Sequence, residues 1–236
     1  MTITVPFPHI GHFVIRFTYY SIIGNISRAM ESILLPVFQV VVLLYSVVIH
    51  EVSHGATAYS LGDMTAKNAG RLSLNPLRHL DMFGSILLPL ILFLARSPFI
   101  VGYAKPVPYD PTALNDRKYG PVKVAMAGPL SNLALAALFG LTLRFMPDVF
   151  SSPLIPELFS FIVFLNILLA VFNLFPVPPL DGHWLLMAFL PRRFDAFKVF
   201  LYQYSLVFLF VFIVFIFPLL LPLVSLLFGL ITGVSL

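Results

Sequence analysis

Four stretches of this 236-residue chain, 33–61, 120–146, 158–176 and 197–234, are apolar enough and long enough to cross a lipid bilayer. Only 10% of the residues are charged and 59% are hydrophobic. A water-soluble domain carries about a quarter charged residues, so this chain cannot solvate its own surface. The expected fold is an all-α polytopic membrane protein, a bundle of about five or six transmembrane helices in which every backbone hydrogen bond is made internally. A further run, "MFGSILLPLILFLA" at 82–95, is apolar but short. Its length suits a short re-entrant or β-like membrane-associated segment better than a full crossing.

The chain divides into an N-terminal interfacial lead-in at 1–32, a transmembrane core at 33–190 and C-terminal transmembrane segments at 191–236. The N-terminal sequence MTITVPFPH lacks the basic stretch, apolar run and small-residue site of a cleaved signal peptide. Residues 63–81 form a polar loop, and "GYAKPVPYDP" at 102–111 is extended, since proline disfavours helix for itself and its predecessor. If 82–95 re-enters, most basic residues collect on one side, leaving Arg16, Arg28 and Arg144 opposite. The positive-inside rule then puts the loops after His54 and Asp181 on the cytoplasmic side of the cell membrane. The net charge of +4 is loop charge that sets this topology, and no nucleic-acid partner is expected.

The first apolar run ends in chemistry. In "VVLLYSVVIHEVSHGATAYSLGD", at 41–63, lipid-grade sequence passes without a break into His50, Glu51 and His54. On a helix the two histidines lie one turn apart on one face, where both imidazoles can hold one zinc ion. Glu51 sits about 100° around the helix, within reach of a zinc-activated water but not of the ion. A shuffled chain of this composition would show H-E-x-x-H in roughly two cases in a thousand. Ionisable groups are rare in apolar helices and mark function there. Cysteine is absent, so thiolate ligands and disulfides are excluded.

A catalytic zinc takes three protein ligands and keeps one open position. Asp181 follows the fourth apolar run at a proline-rich break, "FPVPPLDGHW", which can turn it inward. His183, two residues on, is the alternative, because imidazole is the commoner zinc ligand. His79, in the polar loop, reads as an interfacial side chain.

Taken together, "HEVSH" at 50–54, "AGPLSN" at 127–132 and "NLFPVPPLDG" at 173–182 resemble the site-2 protease family, the zinc intramembrane metalloproteases. The order of the three motifs matches, and the likeness extends over about 45–190. It is closest to a compact bacterial and archaeal branch without PDZ or CBS domains. The resemblance implies one Zn2+ per chain held by His50, His54 and Asp181, with Glu51 as general base and acid. It implies that Asn173 holds the substrate strand or the developing oxyanion, and that Gly128 and Asn132 support helix packing. A membrane-inserted segment and edge strand would fall at about 82–108. The implied activity is hydrolysis of peptide bonds in or near the transmembrane segments of other proteins. The partners would be a transmembrane protein substrate and membrane lipid; no feature sets the oligomeric state. A membrane metal-binding or transport protein, and a catalytically inactive scaffold, fit the same metal residues. Glu51 separates the first two readings, since only a hydrolase needs it as a base without needing it as a ligand.

Overall fold

A computed structural model describes residues 25–96, 104–147, 150 and 154–234. The chain groups into two compact units, residues 1–37 and 38–236. Of the first unit the described part is 25–37, the start of helix α1. The remaining elements all belong to the second.

Helix α1 spans Asn25–Ser60. By propensity its "VVVLLYSVVI" stretch would suit a strand. In hydrocarbon, however, an isolated strand leaves its backbone unpaired and a helix does not. The helix starts eight residues before the apolar run at 33, so part of the expected lead-in is helical; residues 1–24 lie outside the described residues. A one-turn α2, Thr65–Asn68, follows in the polar loop. A π-helical turn over Met82–Leu87, capped by the Asp81 side chain on Phe83 N and Gly84 N, leads into α3, Leu88–Leu94. At about 1.5 Å per residue these thirteen residues reach about 20 Å, less than a bilayer core of about 30 Å. Residues 97–103 lie outside the described residues, and no strand occurs among those described.

Two long helices, α4 over Gly120–Phe145 and α5 over Leu154–Asn173, pack against each other and against α9, Phe217–Thr232. Their shared core is Ala136, Val163, Ile167, Val171, Val224 and Phe228. Small side chains let the backbones approach, the usual basis of helix association in lipid. Larger ones such as Leu138, Leu206, Leu219 and Leu230 stand exposed on the outside, where lipid would cover them. Between α5 and α9 come α6, Gly182–Phe189, then α7, Asp195–Gln203, and α8, Ser205–Val211. A π-helical turn over Phe212–Ile216 joins α8 to α9 directly before Pro218. The last apolar run is thus one continuous span, Ser205–Thr232. Pro218 lies inside this span, and the π-helical turn before it is where the ladder adjusts to its ring and missing N–H.

Four helices have the length and hydropathy to cross a membrane: Leu34–Ser60, Gly120–Phe145, Leu154–Asn173 and Ser205–Thr232. Together with the shorter apolar helix Met82–Leu92 they make up an all-α polytopic membrane protein. The sequence-based expectation of about five or six spans compares with these four among the described residues.

The loops after α1 are clipped to the segment before α4. Asp63 is 1% exposed. Its carboxylate accepts from Thr65 N at 2.9 Å, Thr65 Oγ1 at 2.5 Å and Asp110 N at 2.7 Å. Burial alone pushes this carboxyl up, but the Thr65 hydroxyl and the two backbone N–H groups outweigh burial and hold it below the usual carboxylate range. A depressed folded-state pKa contributes stability above the unfolded value of about 3.9, lost as pH falls through the folded value. Asp63→Asn should therefore lower stability by about 1–2 kcal/mol at pH 7. Thermal melts in detergent should show the gap to wild type closing as pH drops below about 4.

Candidate metal centre

His50 and His54 emerge from α1 one turn apart and both are buried. Asp181, the residue before α6, reaches between them. Its Oδ2 lies 3.0 Å from His50 Nε2 and 3.3 Å from His54 Nε2. One ligand atom from each residue lies within 4.8 Å of the other two. Around a tetrahedral zinc with bonds of about 2.0–2.1 Å, donor atoms stand about 3.4 Å apart. Two lone-pair nitrogens and a carboxylate oxygen converge this closely only with a proton or a cation among them. Two imidazoles and a carboxylate, with no thiolate, are also a hydrolytic zinc set. The residues fit the ion.

Both imidazoles are anchored from behind. His54 Nδ1 donates to the Val124 carbonyl at 2.7 Å, and His50 Nδ1 pairs with Asn132 Oδ1 at 2.5 Å. A carbonyl only accepts, so each Nδ1 carries the hydrogen and each Nε2 presents its lone pair forward. Val124 and Asn132 both belong to α4. That helix comes so close because residue 128 is glycine: a Cβ there would fall on the Nε2 atoms of both histidines.

Asp181 is placed by a fold-back of the chain after α5. Val177 N donates to Phe175 O at 2.8 Å, and Leu180 N to Val177 O at 2.9 Å. At Gly182 an added Cβ would overlap the Leu174 carbonyl. The Asp-Gly pair is therefore a packing requirement: only glycine lets the returning chain lie on the end of α5.

Glu51 stands outside the three-residue cluster. Its Oε2 accepts the Val107 N–H at 2.8 Å, which leaves Oε1 as its other acceptor. The segment that supplies this donor is extended and held on all sides. Lys105 N donates to His79 O at 2.8 Å, and Arg71 Nη2 bonds the carbonyls of Lys105 and Pro106 at 3.1 and 3.2 Å. With proline at 106 and 108, residues 105–108 keep no N–H for an added strand. The edge strand expected at about 82–108 does not form over these residues.

Asn173 is the last residue of α5. Its Nδ2 donates to Leu169 O at 3.0 Å inside its own helix. His183 is buried but lies outside the cluster, its Nδ1 on Leu180 O at 2.6 Å and its ring against Trp184 and Tyr202. His79 is fully buried instead of interfacial, with Nε2 on Ser73 O at 2.7 Å; it braces the polar loop. Asn132, read from sequence as packing support, touches a ligand directly. The Val124 carbonyl and the Val107 N–H were not visible from sequence, because backbone groups carry no residue signal. Asn166, which bonds Asn132, was visible only as a polar residue inside an apolar run.

A family profile described as Peptidase family M50 matches residues 146–215, which include Asp181. The "Putative zinc metalloprotease YwhC" of Bacillus subtilis is 39% identical over 161 residues, 65% of this chain and 69% of that protein. A protein of Mycolicibacterium smegmatis named in the same terms as Rip2 is 33% identical over 144 residues, 59% of this chain and 52% of that one. Rip3 of Mycobacterium tuberculosis (strain H37Rv) is 38% identical over 71 residues, 30% of this chain and 18% of its own length. No solved structure matches the chain.

Because the α4 backbone abuts both imidazoles, Gly128→Ala should weaken zinc binding about tenfold or more by overpacking. Zinc titration alongside helix content by circular dichroism checks this. Wild-type affinity in a folded Gly128→Ala protein would show that the close approach is not required.

Proposed function

The chain belongs to peptidase family M50, and from that premise we propose that it is an intramembrane zinc endopeptidase that cleaves peptide bonds in or near transmembrane segments of other membrane proteins. The observation that carries this reading is the convergence of His50 Nε2, His54 Nε2 and Asp181 Oδ2 at the end of a membrane helix, with Glu51 beside them and outside the ligand set.

His50, His54 and Asp181 would hold the ion, and Asn132 and the Val124 carbonyl keep both Nε2 atoms turned toward it. Zinc, when bound, supplies Lewis acidity toward a carbonyl oxygen and lowers the pKa of water. Glu51 is the general base: Oε1 takes a proton from the attacking water and later delivers it to the leaving amine nitrogen. The Val107 N–H on Oε2 restrains the carboxylate and leaves Oε1 for the proton. The substrate must be unwound, since a peptide bond within a helix is closed to attack. Asn173 donates one N–H to Leu169 O, and its second N–H and its Oδ1 would serve the substrate strand or the developing oxyanion. We place the protein in the cell membrane with the site nearer the cytoplasmic side, on the distribution of its basic loops.

Elemental analysis of purified protein should find about one zinc per chain in wild type. His183→Ala should keep it and Asp181→Ala should lose it. No zinc in the wild type would remove the hydrolytic mechanism, and loss in His183→Ala alone would move the third ligand. Glu51→Gln should retain zinc and lower cleavage of a membrane substrate by at least about a hundredfold. A transporter would instead show impaired metal movement in that variant. Val107→Pro removes the N–H, along with a buried valine side chain that packs near Gly55, from a segment already flanked by prolines. It should lower kcat several-fold with zinc content unchanged; wild-type kcat would show that Glu51 needs no such anchor.

A further inference from the structure

Behind His50 lie three polar side chains with no route to water. Asn132 and Asn166 are fully buried, and Ser46 nearly so. Such groups in membrane helices commonly serve as interhelical contacts. Here their hydrogen bonds also have a direction. Asn166, on α5, donates its Nδ2 to the Ile162 carbonyl at 2.9 Å and to Ser46 Oγ at 3.0 Å. A carbonyl only accepts, so the atom facing Ile162 is the nitrogen, and Asn166 Oδ1 points the other way. That oxygen receives Asn132 Nδ2 at 2.8 Å. Asn132 is left with Oδ1 to offer His50, and His50 Nδ1 must then carry the hydrogen.

We propose that Asn166 is a positioning residue of the metal centre: it sets the orientation of the Asn132 amide and, through it, the tautomer of His50. The inference rests on the zinc reading of the site. The two histidines differ in this respect. His54 is anchored by a backbone carbonyl, which cannot reverse its polarity. His50 is anchored by an amide that can flip. Without Asn166 Oδ1, Asn132 Nδ2 keeps only a 3.5 Å contact to Ser46 O. A flipped amide offers N–H to His50 Nδ1 and drives the ring hydrogen to Nε2, the atom the metal needs bare.

The test is zinc affinity of the full chain in detergent, measured by competition with a chelator. Asn166→Leu should weaken zinc about 10- to 100-fold, the range for a partner that orients a ligand. Asn166→Ser should do the same; its hydroxyl can bond the Ile162 carbonyl but is too short to reach Asn132, so a folding failure of the leucine variant leaves the question answerable. Asn166→Asp should bind within about threefold of wild type, because a buried carboxyl protonates and then presents an acceptor to Asn132 and a donor to Ile162. The deciding comparison is the Asn132→Asp background. There the carboxyl at 132 stays ionised beside a metal-bound imidazole and accepts through either oxygen, so Asn166→Leu and Asn166→Ser should cost no zinc affinity, and removing the acceptor Asn166 Oδ1 from beside it should if anything raise that affinity. Wild-type affinity in both variants, or the same loss in the Asn132→Asp background, would overturn the role of Asn166 while leaving the zinc site standing. A wild type that binds no zinc would overturn the metal reading and this one with it.

Discussion

Hydrocarbon supplies no hydrogen bonds. Every polar atom that a membrane helix carries inward must therefore find its partner within the protein, and the rest of this structure depends on how two imidazoles meet that demand. Each ring has two nitrogens. One must be tied to an acceptor if the other is to stay bare for a metal. The Val124 carbonyl and the Asn132 amide provide those ties, and both lie on one helix, α4. The position of α4 against α1 is thus chemical as well as mechanical. Move it outward by the width of a methyl group and both rings lose their orientation together.

Much of the fold reads as a means to that contact. Small residues on α4, Gly128, Ala136 and Gly140, let it come close to its neighbours, whose Ile167 and Phe228 fill the core, while many leucines face out. After α5 the chain must stop being a helix while still near the site, and it does so through prolines and then a glycine lying on the Leu174 carbonyl. The carboxylate of Asp181 is delivered by a break in regular structure, where backbone freedom can be spent on aiming a side chain. The polar loop after α1 works in the same way at longer range: Asp63, Arg71 and His79 hold the segment whose Val107 N–H meets Glu51.

The elements that bring His50, His54 and Asp181 together were legible in the sequence because the pattern there is carried by side chains at helical spacing. His50 and His54 need one helix face, and Asp181 needs a break, which its prolines announce. The all-α membrane fold followed from run length and the scarcity of charge. What stayed hidden depended on partners far along the chain. No local pattern says that Asn132 meets His50 across 82 residues, or that His79 is buried in its own loop. Over 105–108 the edge strand suggested by resemblance does not form, for a reason that was legible in part: Pro106 and Pro108 remove donors, but Lys105 and Val107 turning inward is a matter of tertiary packing. Asn173 was legible only as a motif position; one N–H of its amide bonds the helix turn behind it.

The glycine at 128 has one more consequence. With α4 pressed against both imidazoles, the centre has a closed back. The side chain of Asp181 keeps 21% of its surface open, against 8% and 11% for the histidines. Approach is therefore one-sided. A planar group that comes to such a wall shows it a single face, and a chain lying along it has a defined head and tail. Which side of the centre stays open is set by a missing methyl group.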